Sequence, residues 1–110
     1  MNWKMITSKE DLEEAIMLSH KKPAVIFKHS TRCSVSMMAK KSLEYGWDLN
    51  EDEVETYFLD LIQYREISNQ IALDLEVIHQ SPQLIGLKNG EVFYHASHSV
   101  ISADSFKSAL

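Results

Sequence analysis

The stretch Ala24-Val25-Ile26-Phe27-Lys28-His29-Ser30-Thr31-Arg32-Cys33-Ser34-Val35-Ser36 decides the fold. Its first four residues are an apolar run of strand length, apolar on both alternating faces, which is the pattern of a central strand covered on two sides. Lys28-His29 ends the run, and Pro23 before it stops any preceding helix. Ser30-Thr31-Arg32 is a polar turn. A helix is predicted to begin at Cys33, because Ser36, Ala39, Leu43 and Trp47 form one stripe at helical spacing.

Upstream, Thr7-Ser8 followed by Lys9-Glu10-Asp11 has the capping hydroxyl and acidic first turn of a helix start. Leu12, Ala15, Ile16 and Ser19 continue that helix toward His20. Downstream, Asn50 to Glu53 is a solvated connection, and Val54 to Leu61 reads as a strand through Thr56, Tyr57 and Phe58. Tyr64, Ile67, Ile71 and Leu75 space a further helix that ends before Val77-Ile78. Pro82 to Leu87 and Glu91 to Ala96 are apolar runs joined by Lys88-Asn89-Gly90, and Asn-Gly between such runs signals a hairpin. Ser102 or Asp104 caps a short final helix through Phe106 and Leu110.

The order is helix–strand–helix–strand–helix–strand–strand–helix. A strand–helix–strand unit implies a parallel pair with a right-handed crossover, and the hairpin adds an antiparallel pair. The expectation is one α/β domain over residues 1–110: a mixed four-stranded sheet flanked by helices on both faces, the thioredoxin-like layout. A chain of 110 residues with 45% hydrophobic and 25% charged residues has room for one real core. Its 11 basic against 16 acidic residues argue against nucleic acid as a partner. No apolar stretch has the length of a signal peptide's core or a membrane span, so a cytoplasmic, monomeric protein without a membrane partner is expected.

With one cysteine the chain makes no internal disulfide, and any redox partner sulfur comes from another molecule. At the first turn of a helix Cys33 meets unpaired backbone amides and the positive end of the helix dipole, which favour a thiolate. Lys28 and Arg32 add positive charge nearby in sequence. The alternative is a small buried hydrophobe, a common fate of free cysteine, against which stand the polar neighbours Thr31, Arg32, Ser34 and Ser36. A single-cysteine enzyme also needs its sulfur to depart in every cycle, since an external thiol must resolve the mixed disulfide. Ser81-Pro82, at the start of the third strand, faces the cysteine loop in this layout. A cis bond there leaves the preceding residue's backbone free to pair with an incoming disulfide; the other reading is a trans proline opening an edge strand. His29 is either a proton partner of Cys33 or a satisfied core or loop histidine. His95 and His98 lack the further ligands of a metal site, so none is expected.

The segment from Phe27 to Ser36 resembles the active-site segment of the monothiol bacilliredoxins, thioredoxin-like redox proteins of the bacillithiol system. Tyr64-Arg65-Glu66-Ile67-Ser68-Asn69, His79-Gln80-Ser81-Pro82-Gln83 and His95-Ala96-Ser97-His98 are similar to that family in the same order, so the resemblance runs from Trp3 to the final helix. It implies that Cys33 takes bacillithiol from mixed disulfides on client proteins. A second bacillithiol, as co-substrate, then releases it as bacillithiol disulfide, with no bound cofactor. By the same resemblance Ser36 stands where a two-cysteine relative holds its resolving cysteine. Thr31, Arg32, Ser36, Arg65, Ser81, Pro82 and His98 are then the thiol-binding residues, the arginines facing the malate carboxylates of bacillithiol; a solvated surface charge is the other reading of each arginine. Ser34 departs from the proline that often follows the family's nucleophile. Two rival functions are a monothiol glutaredoxin-type iron–sulfur carrier, which wants Gly and Phe where Ser34 and Val35 stand, and a binding module with an unreactive cysteine.

Overall fold

The computed structural model describes residues 1–110. Helix α1 spans Lys9–Leu18. Ser8 caps it by accepting the Asp11 N–H at 3.1 Å, and the Asp11 carboxylate accepts the Thr7 N–H at 2.9 Å in return. Pro23 follows, and strand β2, Ala24–His29, is buried along its whole length. Helix α2 covers Ser34–Gly46, β3 Glu55–Asp60, α3 Arg65–Asp74, β4 Gln83–Lys88, β5 Glu91–Ser97 and α4 Ala103–Ala109. Ser102 caps α4 by accepting the Ser105 N–H.

The sheet has five strands, not four, in the order β1-β3-β2-β4-β5. The addition is β1, Lys4–Met5, parallel to β3 and continued by the Ile6 N–H bonding the Phe58 carbonyl at 2.9 Å. Two residues show no alternation, so only their pairing defines them as a strand. β2 lies parallel to β3 and antiparallel to β4, as a strand flanked on both sides requires. The β4–β5 hairpin turns through Asn89 and Gly90, both at positive φ (52° and 77°), the conformation an Asn-Gly pair favours. Its tip is fastened to the end of α1, where Ser19 accepts the Asn89 N–H through its carbonyl and the Gly90 N–H through its hydroxyl, each at 2.8 Å.

Alternation along β2 divides the core. Ala24 and Ile26 join Leu12, Ala15, Leu59, Ile71 and Ile85 on the face covered by α1 and α3. Val25 and Phe27 join Ala39, Leu43, Leu84 and Phe106 on the face covered by α2 and α4. The same alternation sends Lys28 to the first face and His29 to the second. No helix is long and apolar enough to cross a membrane.

Candidate active site

β2 ends at His29 and β4 begins at Gln83, and the antiparallel pairing of Lys28 with Gln83 brings their outer loops to one end of the sheet. β3 ends there too, since His29 pairs with Asp60 in parallel, and α3 starts a few residues beyond. Cys33 is at this end as the N-cap of α2, extended (φ −115°, ψ 119°) and half-buried. The first bond of the helix runs from the Met37 N–H to the Cys33 carbonyl at 3.1 Å. The amides of Ser34, Val35 and Ser36 therefore precede the intrahelical ladder, and those of the exposed Ser34 and Val35 are open to an anion at the helix start.

Beneath this turn lies a polar knot that the sequence only half revealed. Ser36 is fully buried. Its hydroxyl accepts the Ser30 N–H at 3.0 Å and shares a hydrogen bond with His29 Nδ1 at 2.7 Å, whose direction follows the imidazole tautomer. Burial favours the neutral form of His29. Burial holds its pKa below the usual imidazole value, Lys40 lowers it further, and Asp60 and Glu44 act weakly against both. The expectation that Ser36 lines the thiol site is corrected: no part of it reaches solvent, and it shapes the cysteine turn from below. His29 is a satisfied, buried histidine.

On the opposite face of β2 the end of the strand carries a second buried polar group. Lys28 is fully buried, with Nζ 3.1 Å from the Ser68 carbonyl of α3 and 3.2 Å from His79 Nδ1 in the segment leading into β4. No carboxylate pairs with it, and burial pulls its pKa from 10.5 to about 8. His79 is held below its usual value by burial, then by the charges of Lys28 and Arg65. The same segment is fixed by the buried Gln83, whose side chain donates to the Ile78 carbonyl at 3.0 Å and accepts from the Gln80 N–H. Ser81-Pro82 is cis, and the Pro82 carbonyl accepts the His98 N–H at 3.1 Å.

The remaining predicted residues fall as follows. Thr31 and Arg32 are exposed on the turn before Cys33, and Arg65 is exposed as the first residue of α3. Ser81 is half-buried and Pro82 buried, which leaves Ser81 as the part of that pair open to a ligand. His98 is exposed at φ 59° in a short 3-10 turn, His98–Val100, that packs against α2. Arg32 and Arg65 are the chain's only arginines, both sit at this end, and neither pairs with a carboxylate. Lys28, Ser68, His79 and Gln83 were missed as a unit. The available signal was one lysine continuing an otherwise apolar central strand.

Comparison with known proteins agrees with this geometry. The family model of the monothiol bacilliredoxins, BrxC, matches residues 4–106. A solved thioredoxin-fold protein described as a candidate oxidoreductase is 30% identical, with a TM-score of 0.81 over 96% of this chain and 90% of that one. The thioredoxin of Malassezia sympodialis is 19% identical, TM-score 0.76, covering 98% of this chain and 87% of the other. That of Fasciola hepatica is 17% identical, TM-score 0.72, covering 96% and 93%. The two thioredoxins share the fold.

Proposed function

The chain belongs to the monothiol bacilliredoxin family, whose thioredoxin-like fold supports thiol–disulfide redox chemistry, and from that premise we propose that it strips bacillithiol from mixed disulfides on client proteins. Cys33 Sγ attacks the bacillithiol sulfur of the capped client. The bond between the two original sulfurs breaks, the client leaves as a thiolate, and Cys33 holds bacillithiol as a mixed disulfide. A second bacillithiol thiolate attacks the bound bacillithiol sulfur, Cys33 departs as a thiolate, and bacillithiol disulfide is released. Each step exchanges one S–S bond for another and needs no outside oxidant.

The observation that carries this function is a lone, half-buried sulfur at the start of α2 with Ser36 buried one turn on. The open amides of that turn offer hydrogen bonds to the sulfur both when it attacks and when it leaves. A fully buried hydroxyl at position 36 supplies no resolving thiol, so resolution falls to a second small thiol. The two unpaired arginines suit the dicarboxylate of bacillithiol, and the backbone of Ser81 is the free edge for the client's disulfide. In this function bacillithiol is co-substrate, no cofactor is bound, and the protein works as a cytoplasmic monomer.

The test offers a bacillithiol-capped protein to the wild type and to Cys33→Ala, with the same protein capped by glutathione alongside. Release by the wild type alone, with a bacillithiol adduct on Cys33 in intact-mass spectra, is the expected result. Release that persists in Cys33→Ala removes the nucleophile, and equal rates on the glutathione cap remove the specificity for bacillithiol.

A further inference from the structure

We propose that Lys28 is a positioning residue: its buried side chain latches the segment 78–82 to the sheet and so sets where Ser81 meets the incoming disulfide. The proposal rests on the proposed function for what Ser81 does, and on the structure alone for what Lys28 holds.

A lone buried cation is a costly structural element. Replacing buried charge with an apolar residue of similar volume is often neutral or stabilising, because the desolvation penalty disappears. Lys28 lacks even a carboxylate partner; the charged and titratable groups around it are His79, which it touches, and Arg65 of α3, which also faces His79. Its presence in a central strand is therefore poorly explained by stability. What it does geometrically is join β2 to two other elements, through the Ser68 carbonyl of α3 and through His79 Nδ1. His79 is two residues before Ser81. With Gln83 holding Ile78 and Gln80, and His98 holding Pro82, the Lys28–His79 contact is the third anchor of this segment, and the one that ties it to the strand leading to Cys33.

The latch has a defined proton state. Lys28 is a donor only, so His79 Nδ1 must accept and the imidazole must be neutral with its proton on Nε2. Protonating His79 sets two donors and two positive charges against each other across 3.2 Å, and the contact opens. The segment is thus held at neutral pH and released on the acid side. Gln at position 79 offers an amide oxygen that accepts from Lys28 at every pH.

The experiment uses the full chain as wild type, Lys28→Met, His79→Gln and His79→Leu. It measures amide hydrogen exchange over residues 78–82, the melting temperature, alkylation of Cys33 by iodoacetamide, and steady-state release from the bacillithiol-capped protein. Lys28→Met is expected to melt at or above the wild type and to be alkylated at the wild-type rate. It should exchange the segment faster and raise KM about tenfold with kcat kept, the scale of one hydrogen bond to a charged group. His79→Leu should match it, while His79→Gln keeps slow exchange and loses the acid-side release seen in the wild type. Unchanged exchange in Lys28→Met and His79→Leu overturns the latch, as does acid-side release that survives in His79→Gln. A Lys28→Met that fails to fold overturns the claim that the charge is dispensable for stability, and the two His79 variants then decide the latch. If the wild type alkylates and shows the exchange pattern but releases no client, the proposed function falls and the latch stands.

Discussion

Ser36→Ala removes one oxygen from the interior and strands two partners. In the native chain the Ser36 hydroxyl takes the Ser30 N–H at 3.0 Å and serves His29 Nδ1 at 2.7 Å, with no solvent contact for the serine and almost none for the histidine. The methyl left behind can do neither. Each buried polar group without a partner costs about 1–3 kcal/mol, so the two together cost about 2–6 kcal/mol, a large part of the roughly 5–15 kcal/mol that holds a domain of this size together. At about 4 °C per kcal/mol for a chain of this length, the melting temperature falls by about 8 °C or more. Thermal unfolding followed by circular dichroism measures it. Ser36→Cys, whose thiol fills the space but bonds weakly, should fall between the two. A melting temperature for Ser36→Ala within about 2 °C of wild type would show that the hydroxyl is not the keystone of the cysteine turn, and the account of position 36 as structural would be wrong.

Two further predictions concern buried groups away from the sulfur. Lys28 has a pKa of about 8 in the fold and 10.5 as the unperturbed reference, so the fold disfavours its charged form. Stability is therefore lost as pH falls from 10.5 toward 8 and regained as pH rises through that window, by up to about 3 kcal/mol. Urea unfolding of wild type and Lys28→Met across the window should show the difference between them changing with pH, and parallel profiles would refute it. Tyr57 is buried with a hydroxyl that finds no hydrogen-bond partner. Tyr57→Phe removes that orphan, so it should leave stability unchanged or raise it by about 1 kcal/mol; a loss above about 1 kcal/mol in urea unfolding would mean the hydroxyl is satisfied in solution.

The fold was legible where a local pattern maps onto one geometry. Ala24 to Phe27 announced a strand covered on both faces, Ser8 and Ser102 announced helix starts, and Asn89-Gly90 announced a turn needing two residues at positive φ. β1 escaped because two residues carry no period. The strand β5 stops at Ser97, and His98 turns off at φ 59° into the 3-10 turn, a bend that no preceding residue signals. The place of Cys33, half-buried at the start of α2, was legible from its position after the strand and from its polar neighbours. Its supports were not: Lys28 finds Ser68 and His79 at separations of 40 and 51 residues. A serine at position 36 looks the same in sequence whether it faces a ligand or, as here, the underside of a turn.

The last two residues of β2 point away from each other, and this gives the molecule two independent moorings. His29 steadies the turn that carries the sulfur, and Lys28 steadies the opposite bank, where a client would lie. Under the proposed function, changes around residues 77–80 would therefore alter which capped protein fits without disturbing the chemistry of the sulfur, and a substitution under the sulfur would slow that chemistry without changing the choice of client. Two adjacent side chains on one strand would then let reactivity and selectivity drift separately.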